Sequence, residues 1–150
     1  MDLILWRHAD AEDGFPDLAR ELTDKGHRQA AAMAKWLAPY LPKDASILVS
    51  PAVRALQTAQ ALKRDYRTLK ELSPDASHTA ILAAAGWPSH AGVVLVVGHQ
   101  PTLGRTAAWL LSGEPTEWNI KKGALWWITY RERGEESQVV LRAVMSPEFL

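Results

Sequence analysis

Short apolar runs alternate with amphipathic stretches through this chain, the order expected of an α/β domain built on a mainly parallel sheet. Leu3-Ile4-Leu5-Trp6 is an unbroken apolar run that stops at Arg7-His8. It reads as a buried strand with two charge-capable side chains at its carboxyl end. After a loop rich in Asp, Gly and Pro, Thr23 is placed to cap a helix whose Ala30, Met33, Ala34 and Leu37 share one face and which ends before Pro39. Ile47-Leu48-Val49 is a second buried strand. Ser50-Pro51 after it predicts a serine cap with proline at the first helical position, so a helix is expected to start there. Its apolar side carries Val53, Leu56, Ala59 and Leu62, and Arg54 falls in its first turn.

Residues 67–72 suggest a short third strand, and 77–85 an alanine-rich helix ended by Gly86 and Pro88. Val93 to Val97 is the clearest strand, an aliphatic run entering Gly98-His99-Gln100-Pro101. Residues 102–111 read as a helix stopped near Ser112-Gly113. Residues 124–130 and 139–144 read as strands joined by a polar loop over 131–137 that contains Gly134, an antiparallel hairpin at the sheet edge. The expected architecture is a three-layer α/β/α sandwich with a mainly parallel sheet and antiparallel edge strands.

Composition narrows the picture. The chain has 150 residues and 47% hydrophobic content, which predicts one domain, 1–150, with its own core. Seventeen Lys and Arg balance seventeen Asp and Glu, so no bulk field draws the protein to nucleic acid or anionic membrane, and anion binding must come from a local site. There is no cysteine, which excludes disulfides, thiolate metal sites and a cysteine nucleophile. With no signal segment and no long apolar span, the chain reads as cytoplasmic. The tryptophans fit structural roles: Trp6, Trp36 and Trp109 at core-facing or half-buried positions, and Trp126-Trp127 on opposite faces of a strand. Trp87 and Trp118, in loops, are candidates for a docking rim. Lys121-Lys122 reads as a solvated pair, with steering of an acidic partner as the alternative.

Ligands of open α/β sheets bind beyond the carboxyl ends of the strands. That rule singles out Arg7-His8, Ser50 to Arg54, and Gly98-His99. Together they would set two guanidinium groups, two imidazoles and a helix N-terminus around one pocket with no carboxylate nearby in sequence. Uncompensated buried cations are costly, so such a pocket wants an anion, and a phosphoryl group, phosphate or sulfate matches the arginine forks best. The arginines would also depress the pKa of His8, leaving a neutral imidazole able to act as a nucleophile. His27, His78 and His90 lie outside these motifs and read as structural.

The sequences Leu5-Trp6-Arg7-His8-Ala9-Asp10-Ala11, then Val49 through Ala59, then Val97-Gly98-His99-Gln100-Pro101 together resemble the histidine phosphatase superfamily, and within it the SixA-type phosphohistidine phosphatases. Leu22 through Ala30 and Lys122-Gly123-Ala124 extend the likeness over almost the whole chain. The resemblance implies a phosphoglycerate-mutase-like fold. It further implies His8 as nucleophile forming a phosphohistidine intermediate, with Arg7, Arg54 and His99 binding the substrate's phosphoryl oxygens and stabilising their charge. No cofactor or metal enters that scheme, and no His-Glu-x-x-His ligand set is present.

The departures bear on substrate. Ala9 follows the histidine where many members have Gly, and Gln100 stands where Asn is common. The lid segment that supplies a glutamate acid in larger members is missing; Glu71 lies in the corresponding region but is followed by Leu72-Ser73-Pro74. Asp10 is the nearest carboxylate, a candidate auxiliary acid or ligand-orienting group. A site poor in acid suits an imidazole leaving from a P–N bond better than an alkoxide. The expectation is therefore dephosphorylation of phosphohistidine on a protein such as a phosphotransfer domain. The alternatives are a phosphatase of small esters and a catalytically weak phospho-ligand-binding module.

Overall fold

The computed structural model describes all 150 residues. Six strands form one sheet: β1 (Asp2–Arg7), β2 (Ser46–Val49), β3 (Arg67–Thr68), β4 (Val93–Gly98), β5 (Leu125–Arg133) and β6 (Glu136–Met145). Their spatial order is β3-β2-β4-β1-β5-β6. The first four run parallel, while β5 is antiparallel to β1 and β6 to β5. Four helices flank the sheet: α1 (Asp24–Leu37), α2 (Val53–Gln60), α3 (His78–Ala85) and α4 (Thr102–Ser112).

Alternation along the strands sorts the core into two halves. On β1, Ile4 and Trp6 pack with Met33, Ala34 and Leu37 of α1 and Ala55 and Ala59 of α2. Leu3 and Leu5 face the other way, onto Ile81 and Leu82 of α3 and Leu103, Ala107 and Leu110 of α4. The sandwich is therefore three layers deep, as a strand covered on both faces by helices requires. Every residue of β4 is buried, which is why its sequence is an unbroken apolar run. The one polar atom of Trp6 is satisfied within this core, its indole N–H donating to Gly123 O at 2.8 Å.

Local signals match most boundaries. Thr23 caps α1 by accepting from the Gly26 N–H at 2.9 Å, Ser77 caps α3, and Gly86 and Gly113 end α3 and α4 at φ of 71° and 85°. The expected strand over 67–72 is only two residues long, and Lys70–Leu72 turn into a 3-10 helix. The hairpin is longer than its polar sequence suggested: β5 and β6 pair out to Arg133 and Glu136 around Gly134, at φ 63°. Backbone hydrogen bonding alone holds this exposed end, so no apolar alternation marks it. Trp109 is exposed, against expectation, on the outer side of α4. Trp126 and Trp127 do face opposite layers, and Trp87 and Trp118 are half-buried with one side packed against the core.

Gly26 carries a constraint that connects fold and site. A Cβ there would sit 1.9 Å from the Asp10 carbonyl oxygen, so α1 approaches the loop after β1 as closely as it does because residue 26 has no side chain. Gly26→Ala is expected to destabilise the protein by about 1–3 kcal/mol through overpacking, read as a lower denaturant midpoint. An unchanged midpoint would show that the loop moves aside freely.

Candidate active site

Three parallel strands end side by side. Arg7 at the end of β1 is in register with Gly98 at the end of β4, and the His8 N–H donates to the Gly98 carbonyl at 3.0 Å. From β2, the Ser50 N–H donates to the Val97 carbonyl at 3.1 Å. The strand ladder thus continues one residue into each loop and sets the position of the side chain that follows. Thr58 on α2 adds a cross-link: its hydroxyl accepts from the Ala9 N–H at 3.0 Å and donates to the Arg54 carbonyl at 2.8 Å. Because Arg54 and Thr58 are one turn apart, the same helix that carries the arginine also fixes the peptide after His8.

The structure brings Arg7, His8, Arg54 and His99 together. His8, Arg54 and His99 are all buried, and the two imidazole rings stand 5.2 Å apart, centroid to centroid. His8 Nδ1 lies 2.7 Å from the Ala9 carbonyl oxygen. A carbonyl only accepts, so Nδ1 carries the proton and Nε2 presents its lone pair. Burial pushes the His8 imidazole down to about 4; the bond to Ala9 opposes this, and Arg54 and Arg7 push the same way as burial. Desolvation is thus the largest cause, ahead of the arginines that the sequence points to. His99 is pushed down to about 3, first by burial and then by His8 and Arg54.

The guanidinium groups are held by one side and free on the other. Arg7 Nη1 donates to the Ile120 carbonyl at 2.9 Å. Arg54 Nη1 donates to the Asp17 carbonyl at 2.8 Å and Nη2 to the Asp17 carboxylate at 3.1 Å. Four buried side-chain polar atoms in the protein lack a hydrogen-bond partner, and three belong to this site: Arg7 Nε, Arg54 Nε and His99 Nδ1. Leaving such donors unpaired is costly. Their concentration beside a neutral imidazole forms a cradle for an oxyanion.

Ser50 does something other than the expected capping. The α2 helix starts at Val53, with Ala52 as its N-cap, because Ser50 is drawn into the site. Its hydroxyl oxygen accepts from the Ala52 N–H at 3.2 Å and sits 2.7 Å from His99 Nε2. No other acceptor is available to the fully buried hydroxyl proton, so it goes to Nε2 and leaves the His99 proton on Nδ1, the atom without a partner. Ser50 thereby sets His99 as a donor toward the cradle.

Asp17 was not singled out by sequence. It lies in the 3-10 helix Asp17–Ala19, far in sequence from Arg54, and supplies the carboxylate that the local motif lacked. Arg20 also donates to it at 3.0 Å. Asp10 accepts from Thr23 at 2.8 Å and from Lys122 at 3.1 Å. The Thr23 bond first, and then Lys122, holds its carboxyl below the usual range, so at neutral pH it is a carboxylate and a poor proton donor. Glu71 is exposed in the 3-10 turn after β3. Gln100 is an internal brace, donating to the Trp118 carbonyl at 2.8 Å and accepting from the Gly104 N–H at 2.7 Å. No three His, Asp or Glu side chains are grouped to hold a metal ion, and no helix is long and apolar enough to cross a membrane.

The chain belongs to the histidine phosphatase superfamily. A sequence model of that superfamily's branch 1 matches residues 3–76. Phosphohistidine phosphatase SixA of Escherichia coli K12 is 33% identical over 123 residues, which cover 76% of each chain. A solved structure of the protein histidine phosphatase SixA complexed with tungstate superposes with a TM-score of 0.82 at 29% identity, covering 99% of both chains. A phosphohistidine phosphatase SixA structure from Nakamurella superposes at 0.81, with 28% identity over 97% of this chain and 95% of that one. This chain is a phosphatase similar to SixA over nearly its whole length. Its fold is shared more widely, as with a phosphoserine phosphatase of Entamoeba histolytica at TM-score 0.72 and 19% identity, over 97% of this chain and 96% of that one.

Both imidazoles are expected to be neutral at pH 6 in NMR titrations, His8 protonating only near pH 4. Unfolded chains take up these protons around the ordinary value of 6.5. Stability from these two groups is thus full above that pH and falls as pH drops toward 4, measurable by denaturant titration. Ser50→Ala is expected to leave the fold intact, lower kcat by about tenfold or more, and convert His99 from the Nδ1–H form to a tautomer mixture in imidazole ¹⁵N shifts. A parent protein already in the Nε2–H form would contradict this assignment.

Proposed function

We propose that this phosphatase hydrolyses phosphohistidine on a protein, with His8 as nucleophile and Arg7, Arg54 and His99 as the substrate-binding and charge-stabilising catalytic groups. The three buried donors without protein partners around an imidazole with a free Nε2 carry this reading. They would bind the equatorial oxygens of a phosphoryl group while Nε2 attacks phosphorus in line. The Nε2–P bond forms as the P–N bond to the substrate imidazole breaks, and the leaving nitrogen takes a proton from solvent. The Ala9 carbonyl, accepting from Nδ1, supports the positive charge that develops on the His8 ring. Water then attacks phosphorus, the P–Nε2 bond breaks, and inorganic phosphate and free His8 remain.

The leaving group is chosen on the acid supply. Asp10, the candidate auxiliary acid, is held as a carboxylate, so it is better suited to orienting a ligand or water than to protonating an alkoxide. An imidazole needs less help to leave. The relatives named for phosphohistidine and the tungstate, an oxyanion, bound to one of them support the same assignment. The cytoplasmic placement read from the sequence belongs to this proposal, since phosphotransfer domains and their phosphatase must share a compartment.

His8→Ala is expected to abolish turnover while the protein stays folded by circular dichroism. Brief reaction of the parent protein with radiolabelled phosphoprotein should trap label that is lost in acid and kept in alkali, as a P–N bond requires. The kcat/KM on a histidine-phosphorylated protein should exceed that on phosphoserine or sugar phosphates. Residual activity in His8→Ala would eliminate the mechanism, and a preference for esters would eliminate the substrate assignment.

A further inference from the structure

The cationic character of the site continues onto the surface. A cleft of about 700 Å³ runs outward from Arg7 and is lined by Lys25 and Arg28 of α1 and by Lys121 and Lys122 of the turn before β5. The chain as a whole carries equal numbers of acidic and basic residues, so this is a local excess. Asp10 and Glu148 are the only acidic side chains in the lining. Each is already engaged, Asp10 by Lys122 at 3.1 Å and Glu148 by Lys121 at 2.7 Å. Lys25 and Arg28 are exposed, one turn apart on the same helix, and enter no ion pair.

We infer that this cleft is the docking groove for an acidic polypeptide surface of the substrate protein, whose carboxylates meet Lys25, Arg28, Lys121 and Lys122 while its phosphoryl group reaches His8. The inference rests on the phosphohistidine reading above. Pockets that select small molecules are lined mostly by hydrophobic and aromatic side chains with a few placed polar groups, whereas nine of the twelve residues lining this cleft are charged or polar and none is aromatic. A single phosphate monoester would be satisfied by Arg7, Arg54 and His99 and would have no use for four further cations beyond them. The pairs at Lys121 and Lys122 are exposed on the lysine side; surface pairs of this kind are weak and exchange readily for a partner's carboxylates. Opposed charge across such an interface governs approach and register more than final affinity.

The test compares parent protein with Lys25→Glu/Arg28→Glu, and with the milder Lys25→Gln/Arg28→Gln, on two substrates. One is a histidine-phosphorylated phosphotransfer domain with an acidic surface beside the phosphohistidine; the other is phosphoramidate, which carries the P–N bond alone. Both positions are exposed, and equal denaturant midpoints would verify folding. The expected result is a fall in kcat/KM of about tenfold or more on the phosphodomain at low salt for the reversal variant, a smaller fall for the glutamine variant, and unchanged phosphoramidate hydrolysis. Parent activity on the phosphodomain should also drop with ionic strength more steeply than activity on phosphoramidate. Phosphodomain turnover equal to the parent's, or an equal loss on both substrates, would overturn the docking groove and leave the phosphohistidine reading standing. A parent that hydrolyses only small esters would overturn both.

Discussion

Two arginines whose buried Nε donors have no protein partner are the constraint around which this site is organised. Arg7 and Arg54 are each tied down through their terminal nitrogens, by the Ile120 carbonyl and by Asp17, so that each presents an Nε with no protein partner. Tying both guanidiniums in advance lowers the side-chain ordering cost of binding. The rest of the site follows from the same burial. A His8 ring placed there is neutral, its single proton goes to the Ala9 carbonyl, and its Nε2 keeps a free lone pair.

The supports of these groups come from a narrow set of elements. Strand ladders hold the first residue of each loop, while α2 contributes Arg54, the Thr58 hydroxyl on Ala9, and Gln57, whose side-chain oxygen accepts from Leu22 N–H at 2.7 Å. Gln29 on α1 accepts from the Asp10 N–H at 2.9 Å. The loop after β1 is therefore braced by side chains from both helices on one face of the sheet. Such bracing keeps a site precise when its residues come from loops and no lid closes over them.

Much of this was written in the chain. The apolar runs of β1, β2 and β4 announce a sheet buried on both faces, and each ends at the residues proposed to carry the chemistry. The Thr23, Gly86 and Gly113 signals were legible because caps act within a few residues. The same local reading misassigned Ser50, since a serine before a proline after a strand looks like a cap whether or not a histidine approaches it. It overlooked Asp17, whose partner lies 37 residues away, and it shortened the hairpin, whose exposed end carries no hydrophobic period. Trp109, expected at a core-facing or half-buried position, is exposed on α4.

The amino-acid sequence by itself determined the layers, the order of the motifs and the residue types that gather at the strand ends, because periodicity and capping are properties of neighbours along the chain. Tertiary structure alone decided which donors remain unpaired, which nitrogen of each histidine holds the proton, and how far burial rather than charge lowers their basicity. Those depend on groups brought within hydrogen-bonding distance from separate loops, and on the water that their packing excludes.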